Sequence, residues 1–421
     1  MDGPPDRAPA PTDLTDAPTN APADAPADAP DATLGPALLV LPDRVVRGRL
    51  RLEGGRIAAI TPEGDAEAPA STPGPELEGD YILPGLVDLH TDHIEKHLHP
   101  RVTAPWDPLS AALAYDAQVI AAGVTTVFDS LSVGAAIRQP ERRDLLFPAL
   151  DALARAAQLG LFRAEHRLHL RCEISDPDTP ILMERALSRP GMAAELAGGV
   201  GLVSLMDHAP GDRQSPDMDR WTRRMAENID VSLVEMIARR DALLERSARL
   251  GPSIRAHCAA AALERGLAVM SHDDASAAHV ALARAEGATI SEFPTTLEAA
   301  RAATAGGMAV IAGGPNLVRG GSMTGNVAAR DLAAEGLLDI LASDYVPRSL
   351  VDAAFAMAAD PGLSQGLPEA VAMVSAAPAR AAGLTDRGAI APGLRADLIR
   401  VRRVGGVAHV AEAWREGRRV L

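Results

Sequence analysis

Short apolar runs alternate with longer alanine-rich stretches through most of the chain. Eight runs read as strands, at 82–90, 124–130, 167–173, 201–207, 266–271, 289–293, 308–312 and 338–343. They have the length and β-branched content of buried strands. Stretches of helical periodicity separate most of them, for example 143–159 and 366–382. Strands alternating with helices in this number predict an α/β chain built as a (β/α)8 TIM-type barrel. The alternative is an open doubly wound sheet, but no GxGxxG follows the first strand. The two ends of the chain read differently. Residues 37–60 hold short strands with Gly54-Gly55 between two apolar runs, a hairpin signal. Residues 61–80 form a Pro/Gly/acid linker, and 392–403 and 407–421 again read as strands with a turn. Both ends therefore predict one small β-domain, 36–81 with 385–421, around a barrel at 82–384.

Composition narrows the functional classes. The chain has 421 residues, enough for a large barrel and an accessory unit, and is 47% hydrophobic with only 3% aromatics. Ala, Leu and Val must fill the core. A net charge of −15 argues against a nucleic-acid partner, yet a pocket can be locally basic. Cys172 and Cys258 are the only cysteines, so no disulfide framework exists and a reducing cytoplasm is expected. Neither a membrane-spanning apolar run nor a secretory signal is seen, so no membrane partner is expected. Residues 1–35 carry seven Asp and one Arg among Ala/Pro repeats, or −6 of the −15, and read as a disordered acidic tail.

The chemistry concentrates where strands end. The first strand ends in His90-Thr91-Asp92, the third in His169 to Glu173, the fourth in Asp207-His208, the fifth in His272-Asp273-Asp274 and the last in Asp344. Barrel enzymes work at the C-terminal ends of their strands. Side chains at i and i+2 share a strand face, so His90 and Asp92 point one way, as do Arg167, His169, Arg171 and Glu173. Imidazoles beside carboxylates suit zinc, manganese or iron, and six such ligands suffice for two divalent ions. A metal pair serves the hydrolysis of amides, esters or phosphoanhydrides equally well.

The segments LPGLVDLHTD (83–92) and PGLRADLIRV (392–401), the strand-ending histidines and the late Asp344 resemble the amidohydrolase superfamily. That resemblance covers nearly everything after residue 36 and implies a (β/α)8 barrel with a small β-sandwich built from both chain ends. RAEHRLHLRCE (163–173), LVSLMDHAPGDRQ (202–214), SHDDA (271–275), SEFPTT (291–296), NLVRGGSMTGN (316–326) and LDILASDY (338–345) look like its phosphonate-catabolism branch. The branch implies a diphosphatase that cleaves the triphosphate of a ribose 1-alkylphosphonate and releases pyrophosphate. Many members of the superfamily begin with His-x-His, whereas this chain has His90-Thr91-Asp92. Its bridging ligand is a carboxylated lysine or a glutamate. Lys96 is the only lysine here and ends no middle strand, so the resemblance assigns the bridge to Glu173, with His169 as the substitute. His208 and His272 match the later histidines. Asp344 matches the aspartate that binds metal and accepts a proton from the hydrolytic water. The implied cofactor is two divalent ions, zinc first, with manganese or iron as alternatives.

Such a substrate is an anionic small molecule whose phosphates need cations and backbone amides. Lys96, Arg101, Arg167 and Arg171 are candidates by position, and Arg213 follows His208 in a loop. Arg319, Gly320, Gly321, Ser322 and Asn326 form a Gly-rich stretch in which amides can approach an anion. His93, His97 and His99 read as substrate or rim contacts, His93 the nearest. Two rival readings stand beside this one: a hydrolase of cyclic amides or related C–N bonds, and a non-catalytic assembly subunit of the same pathway. A homodimer is the default expectation for a soluble enzyme.

Overall fold

The computed structural model describes residues 31–421 except 64–76, 78, 102–103, 136–141, 190, 192–195, 212, 214, 216 and 323–324. Residues 1–30 of the expected tail lie outside the described residues, as does most of the expected linker. The tail reading ran too far, because strand β1 (Ala32–Val40) begins inside it. Leu34 and Ala37 are buried there, and four acid-free residues after Asp31 suffice to enter a sheet.

Eight parallel strands form the barrel: β5 (Leu86–Thr91), β6 (Val124–Val133), β7 (Glu165–Glu173), β8 (Val200–Met206), β9 (Ala268–His272), β10 (Ile290–Glu292), β11 (Ala309–Gly313) and β12 (Ile340–Ala342). They lie in chain order, and each overlaps one predicted run. The run 82–90 divides, however: its first residues belong to the accessory strand Tyr81–Pro84, so that unit extends past the predicted boundary at 81. Just beyond β12 the last strand meets the first. Asp344 N–H donates to the His90 carbonyl at 2.9 Å, and Asp92 N–H to the Asp344 carbonyl at 3.2 Å.

Strand faces sort the side chains. On β7, Leu168, Leu170 and Cys172 pack against the helices, which turns His169, Arg171 and Glu173 to the barrel interior. Val87, Leu89, Phe128, Leu202, Met270, Ile290, Ile311 and Ile340 form one inner cluster. The pairing of β5 with β6 slips between Asp88 and Thr91, so His90 leaves the strict alternation at the strand's end. The helix predicted over 366–382 is two, Leu367–Ala372 and Ala376–Ala381. Proline fits a first helical turn without loss of a hydrogen bond, and Pro378 obtains that place by a fresh start at Ala376.

The accessory unit is a seven-stranded sheet from both chain ends. Besides β1 it contains β2 (Val45–Glu53), β3 (Arg56–Pro62), β4 (Tyr81–Pro84), β13 (Leu398–Val404), β14 (Val407–Arg415) and β15 (Arg418–Arg419). The Gly54-Gly55 turn joins β2 to β3 as expected, both glycines at positive φ. Strand β4 runs parallel to β1 and antiparallel to β13, so the chain's end is stitched to its beginning. Leu39, Leu50, Ile57, Ile82, Leu398 and Trp414 belong to this unit's own apolar core. No helix among the described residues is long and apolar enough to cross a membrane.

Candidate metal centre and substrate cavity

A carboxylate absent from the predicted ligand set stands at the centre of the site. Glu292 ends β10 and accepts from Nδ1 of His90 at 2.7 Å and from Nδ1 of His272 at 2.6 Å. All three side chains are buried. Burial alone would raise the Glu292 carboxyl, but the two histidines hold it well below the usual range. A ring that donates from Nδ1 keeps its lone pair on Nε2, the arrangement by which carboxylates orient metal-binding histidines. Asp273, Phe293 and Asp344 each follow a strand end with φ near +55°, a conformation that non-glycine residues rarely adopt. The three turns cluster at one end of the barrel, as strained backbone at functional sites does.

Two groups have the composition of metal sites. His90, His169 and Glu292 offer donor atoms within 4.8 Å of one another, and so do His208, His272 and Asp273. His169 is the most telling member. Its Nδ1 lies 3.0 Å from both the Leu89 carbonyl and the Ser130 hydroxyl, while its buried Nε2 has no hydrogen-bond partner among the described residues. Burial, with the nearby His90 and Arg171 charges, holds its pKa down to about 3, so the ring is neutral with a lone pair available. Among the described residues, Oδ1 of Asp92 and Oδ2 of Asp273 are likewise buried without a hydrogen bond, the latter facing His272 Nε2 at 3.4 Å. Three orphaned donors of ligand type in one crowded end fit a divalent cation.

The other predicted ligands lie in the same end. Glu173 accepts from His208 Nδ1 at 2.6 Å and from the Ser175 hydroxyl at 2.7 Å. Oδ2 of Asp92 pairs with Arg142 at 2.8 Å and faces Arg171 at 3.6 Å. Burial opposes ionisation there, but the two guanidiniums pull the carboxyl down to about 2. Asp344 is pushed up by burial, against the favourable charges of His90 and Arg171.

An open cavity of about 160 Å³ leads from Asp273 and Asp344 along Phe293 and Tyr345 to the Gly-rich stretch. Arg319, Gly321, Ser322 and Asn326 line it. Gly320 does not; at φ +79° it ends the helix Gly314–Arg319 in the left-handed turn that favours glycine. Arg171 is buried inside the barrel, with Nη1 facing Asp92 Oδ2 at 3.6 Å and Nε donating to Met206 Sδ at 3.3 Å. Lys96 is exposed and donates to the Tyr345 carbonyl at 3.2 Å. Arg101 is exposed on the loop beyond Leu98, with no carboxylate partner among the described residues.

Three expectations are corrected. Arg167 shares a face with Arg171, but four residues along a strand span about 13 Å. It lies at the opposite end of the barrel, bonded to Glu165 at 2.8 Å and beside Gly198 before β8. Arg213 is buried and braces the turn after β9, donating to the His272 carbonyl at 2.9 Å and to Asp274 at 2.7 Å. His93 turns away, with Nδ1 on the Tyr345 carbonyl and Nε2 on Gln118, both at 3.0 Å. Glu292 was overlooked although it falls in the candidate strand 289–293. Asking of that strand, as of the others, which acidic residue stands near its end finds it.

The amidohydrolase family model matches residues 81–419. The alpha-D-ribose 1-methylphosphonate 5-triphosphate diphosphatase of Escherichia coli K12 is 42% identical over 383 residues, covering 91% of this chain and 98% of that protein. An imidazolonepropionase of Cereibacter sphaeroides is 28% identical, with 92% and 94% covered. Among solved structures, the N-acetyl-D-glucosamine-6-phosphate deacetylase of Mycobacterium smegmatis superposes with a TM-score of 0.59 at 18% identity, covering 93% of this chain and 99% of that one. The Pasteurella multocida N-acetylglucosamine-6-phosphate deacetylase gives 0.52 at 12%, with 91% and 98% covered. These two likenesses concern the fold; the family match and the E. coli relative establish that this chain belongs to the amidohydrolase family.

Proposed function

We propose that the chain hydrolyses a phosphoanhydride of alpha-D-ribose 1-methylphosphonate 5-triphosphate. Pyrophosphate leaves and 5-phospho-alpha-D-ribose 1-methylphosphonate remains. The observation that carries this reading is the cavity that joins Asp344 to Arg319, Gly321, Ser322 and Asn326. A neutral ring amide has no use for a guanidinium beside a Gly-rich loop, whereas a polyphosphate does. The 42% identical relative bears the matching activity in its name.

His90, Asp92, Glu173, His208, His272 and Asp344 would hold two divalent ions, with zinc favoured and manganese or iron as alternatives. His169, Glu292 and Asp273 join the candidate ligands on the strength of their orphaned or shared donor atoms. A divalent metal bound there would supply an acidified water and positive charge for the phosphoryl oxygens. Asp344 accepts the proton of the attacking water at a carboxylate oxygen. Glu292 fixes the tautomers of His90 and His272 through their Nδ1 atoms. Arg171 and Arg319 neutralise the charge that grows on the leaving phosphates.

Phosphorus NMR of the metal-loaded protein with the triphosphate tests the reading, beside a Glu173→Ala variant. Pyrophosphate is expected with the parent and not with the variant. Unchanged substrate with the parent, despite bound metal, would overturn the diphosphatase and direct attention to C–N bonds.

A further inference from the structure

Tyr345 occupies a singular position between two cations. Lys96 Nζ stands 5.2 Å from the centre of its ring and donates to its carbonyl. Arg319 Nη1 donates to its phenol oxygen at 3.5 Å. That oxygen is therefore used as an acceptor, and its own O–H remains to donate elsewhere. Neither Lys96 nor Arg319 has a carboxylate partner among the described residues, on a chain of net charge −15 whose arginines are widely paired. Tyr345 and Arg319 line the same cavity as Asp344 and Asp273, and Tyr345 follows Asp344 directly. Arg319 and the phenol proton beside the opening, with Lys96 behind the Tyr345 ring, fit an extended anion, not a single phosphate at the ligand cluster.

We propose that Tyr345, with Arg319 and Lys96, forms a specificity wall that binds the distal phosphates of the substrate, those that leave as pyrophosphate. It selects polyphosphate esters over monophosphates. This rests on the diphosphatase reading for its biological substrate, but the wall can be tested without turnover.

The probes are inorganic tripolyphosphate and orthophosphate, titrated by calorimetry into the full-length protein at saturating free metal. The parent is expected to bind tripolyphosphate more tightly than orthophosphate. Tyr345→Phe removes one hydrogen bond to an anion and is expected to weaken tripolyphosphate about tenfold while orthophosphate changes less than about twofold. Arg319→Gln, at an exposed position, is expected to act alike and guards against a misfolded Tyr345 variant. Tripolyphosphate binding within about twofold of the parent in both variants would overturn the wall. If the parent discriminates as expected yet releases no pyrophosphate from the ribose triphosphate, the wall stands and the substrate reading falls. If pyrophosphate is released and the variants still bind tripolyphosphate like the parent, the wall alone falls.

Discussion

At the N-terminal end of the barrel, Glu165 carries three guanidiniums: Arg167 and Arg387 at 2.8 Å and Arg395 at 2.7 Å. Next to it on the chain, the His166 ring lies between Asp129 at 2.9 Å and Asp116 at 3.3 Å. At the C-terminal end, Asp92, Glu173, Asp273, Glu292 and Asp344 crowd together with four imidazoles. Three ligand-type atoms there find no hydrogen-bond partner among the described residues. Both ends bury charge on a similar scale. At the first, each group faces its opposite and the cluster ties β7 to the chain's C-terminal segment. At the second, Glu292, Glu173 and Asp92 also face imidazoles or guanidiniums, but ligand-type atoms of His169, Asp92 and Asp273 are left without a hydrogen bond among the described residues, an arrangement that fits a cation to come. Burial of a charged residue thus says little about function. Whether all of its polar atoms find partners says more.

Removing Glu165 should test the first half most severely. Glu165→Ala leaves Arg387 and Arg395 buried without their shared carboxylate and is expected to cost about 3–5 kcal/mol in urea unfolding. Metal content should stay at the parent's level. Metal loss instead would show that the two ends are not independent.

His166 sharpens the same end through pH. Burial opposes its charge, but Asp129 and Asp116 raise its pKa to about 9, above the ordinary 6.5. A group raised on folding contributes fully below the unfolded pKa and loses that contribution as pH rises through the folded one. On the order of 3 kcal/mol of stability should therefore disappear between about pH 6.5 and 9. A His166→Gln variant should lack that component of the fall, and parallel unfolding curves for the two proteins would refute the pairing.

At the other end, Glu292→Gln keeps the shape of the side chain but can no longer accept from both His90 and His272. Metal affinity, read by competition with a chromophoric chelator, is expected to fall about 10–100-fold. Unaltered affinity would make Glu292 a packing residue. The smallest effect belongs to Arg167→Ala, where KM for the triphosphate should change less than about twofold because that side chain faces Glu165 rather than the cavity. A large rise in KM would return Arg167 to the site and dissolve the contrast between the ends.

The eight strands were legible because a parallel barrel buries both faces of each strand, and uninterrupted apolar runs survive in the sequence. His90, His208, His272 and Asp344 were legible because each stands where such a run stops. Periodicity told which face Arg167 shares with Arg171 but not how far along the barrel it lies. Arg213 was misread because a loop gives no period at all, and its partner Asp274 lies 61 positions away. His93 looked like a site residue by proximity in the chain. The helix His93–Leu98 turns its ring toward Gln118.

The hydrogen bonds between Asp344 and the His90–Asp92 segment have a consequence for synthesis on the ribosome. The ligands at the end of β5 are made about 250 residues before the strand that completes their surroundings. Strand β4 waits longer still for its neighbour β13. A nascent chain halted before β12 exposes an open sheet edge and a half-assembled set of metal-binding side chains. Barrel closure and assembly of the centre are one event, so a prematurely terminated product carries no partial activity, only a surface prone to wrong partners and wrong metals.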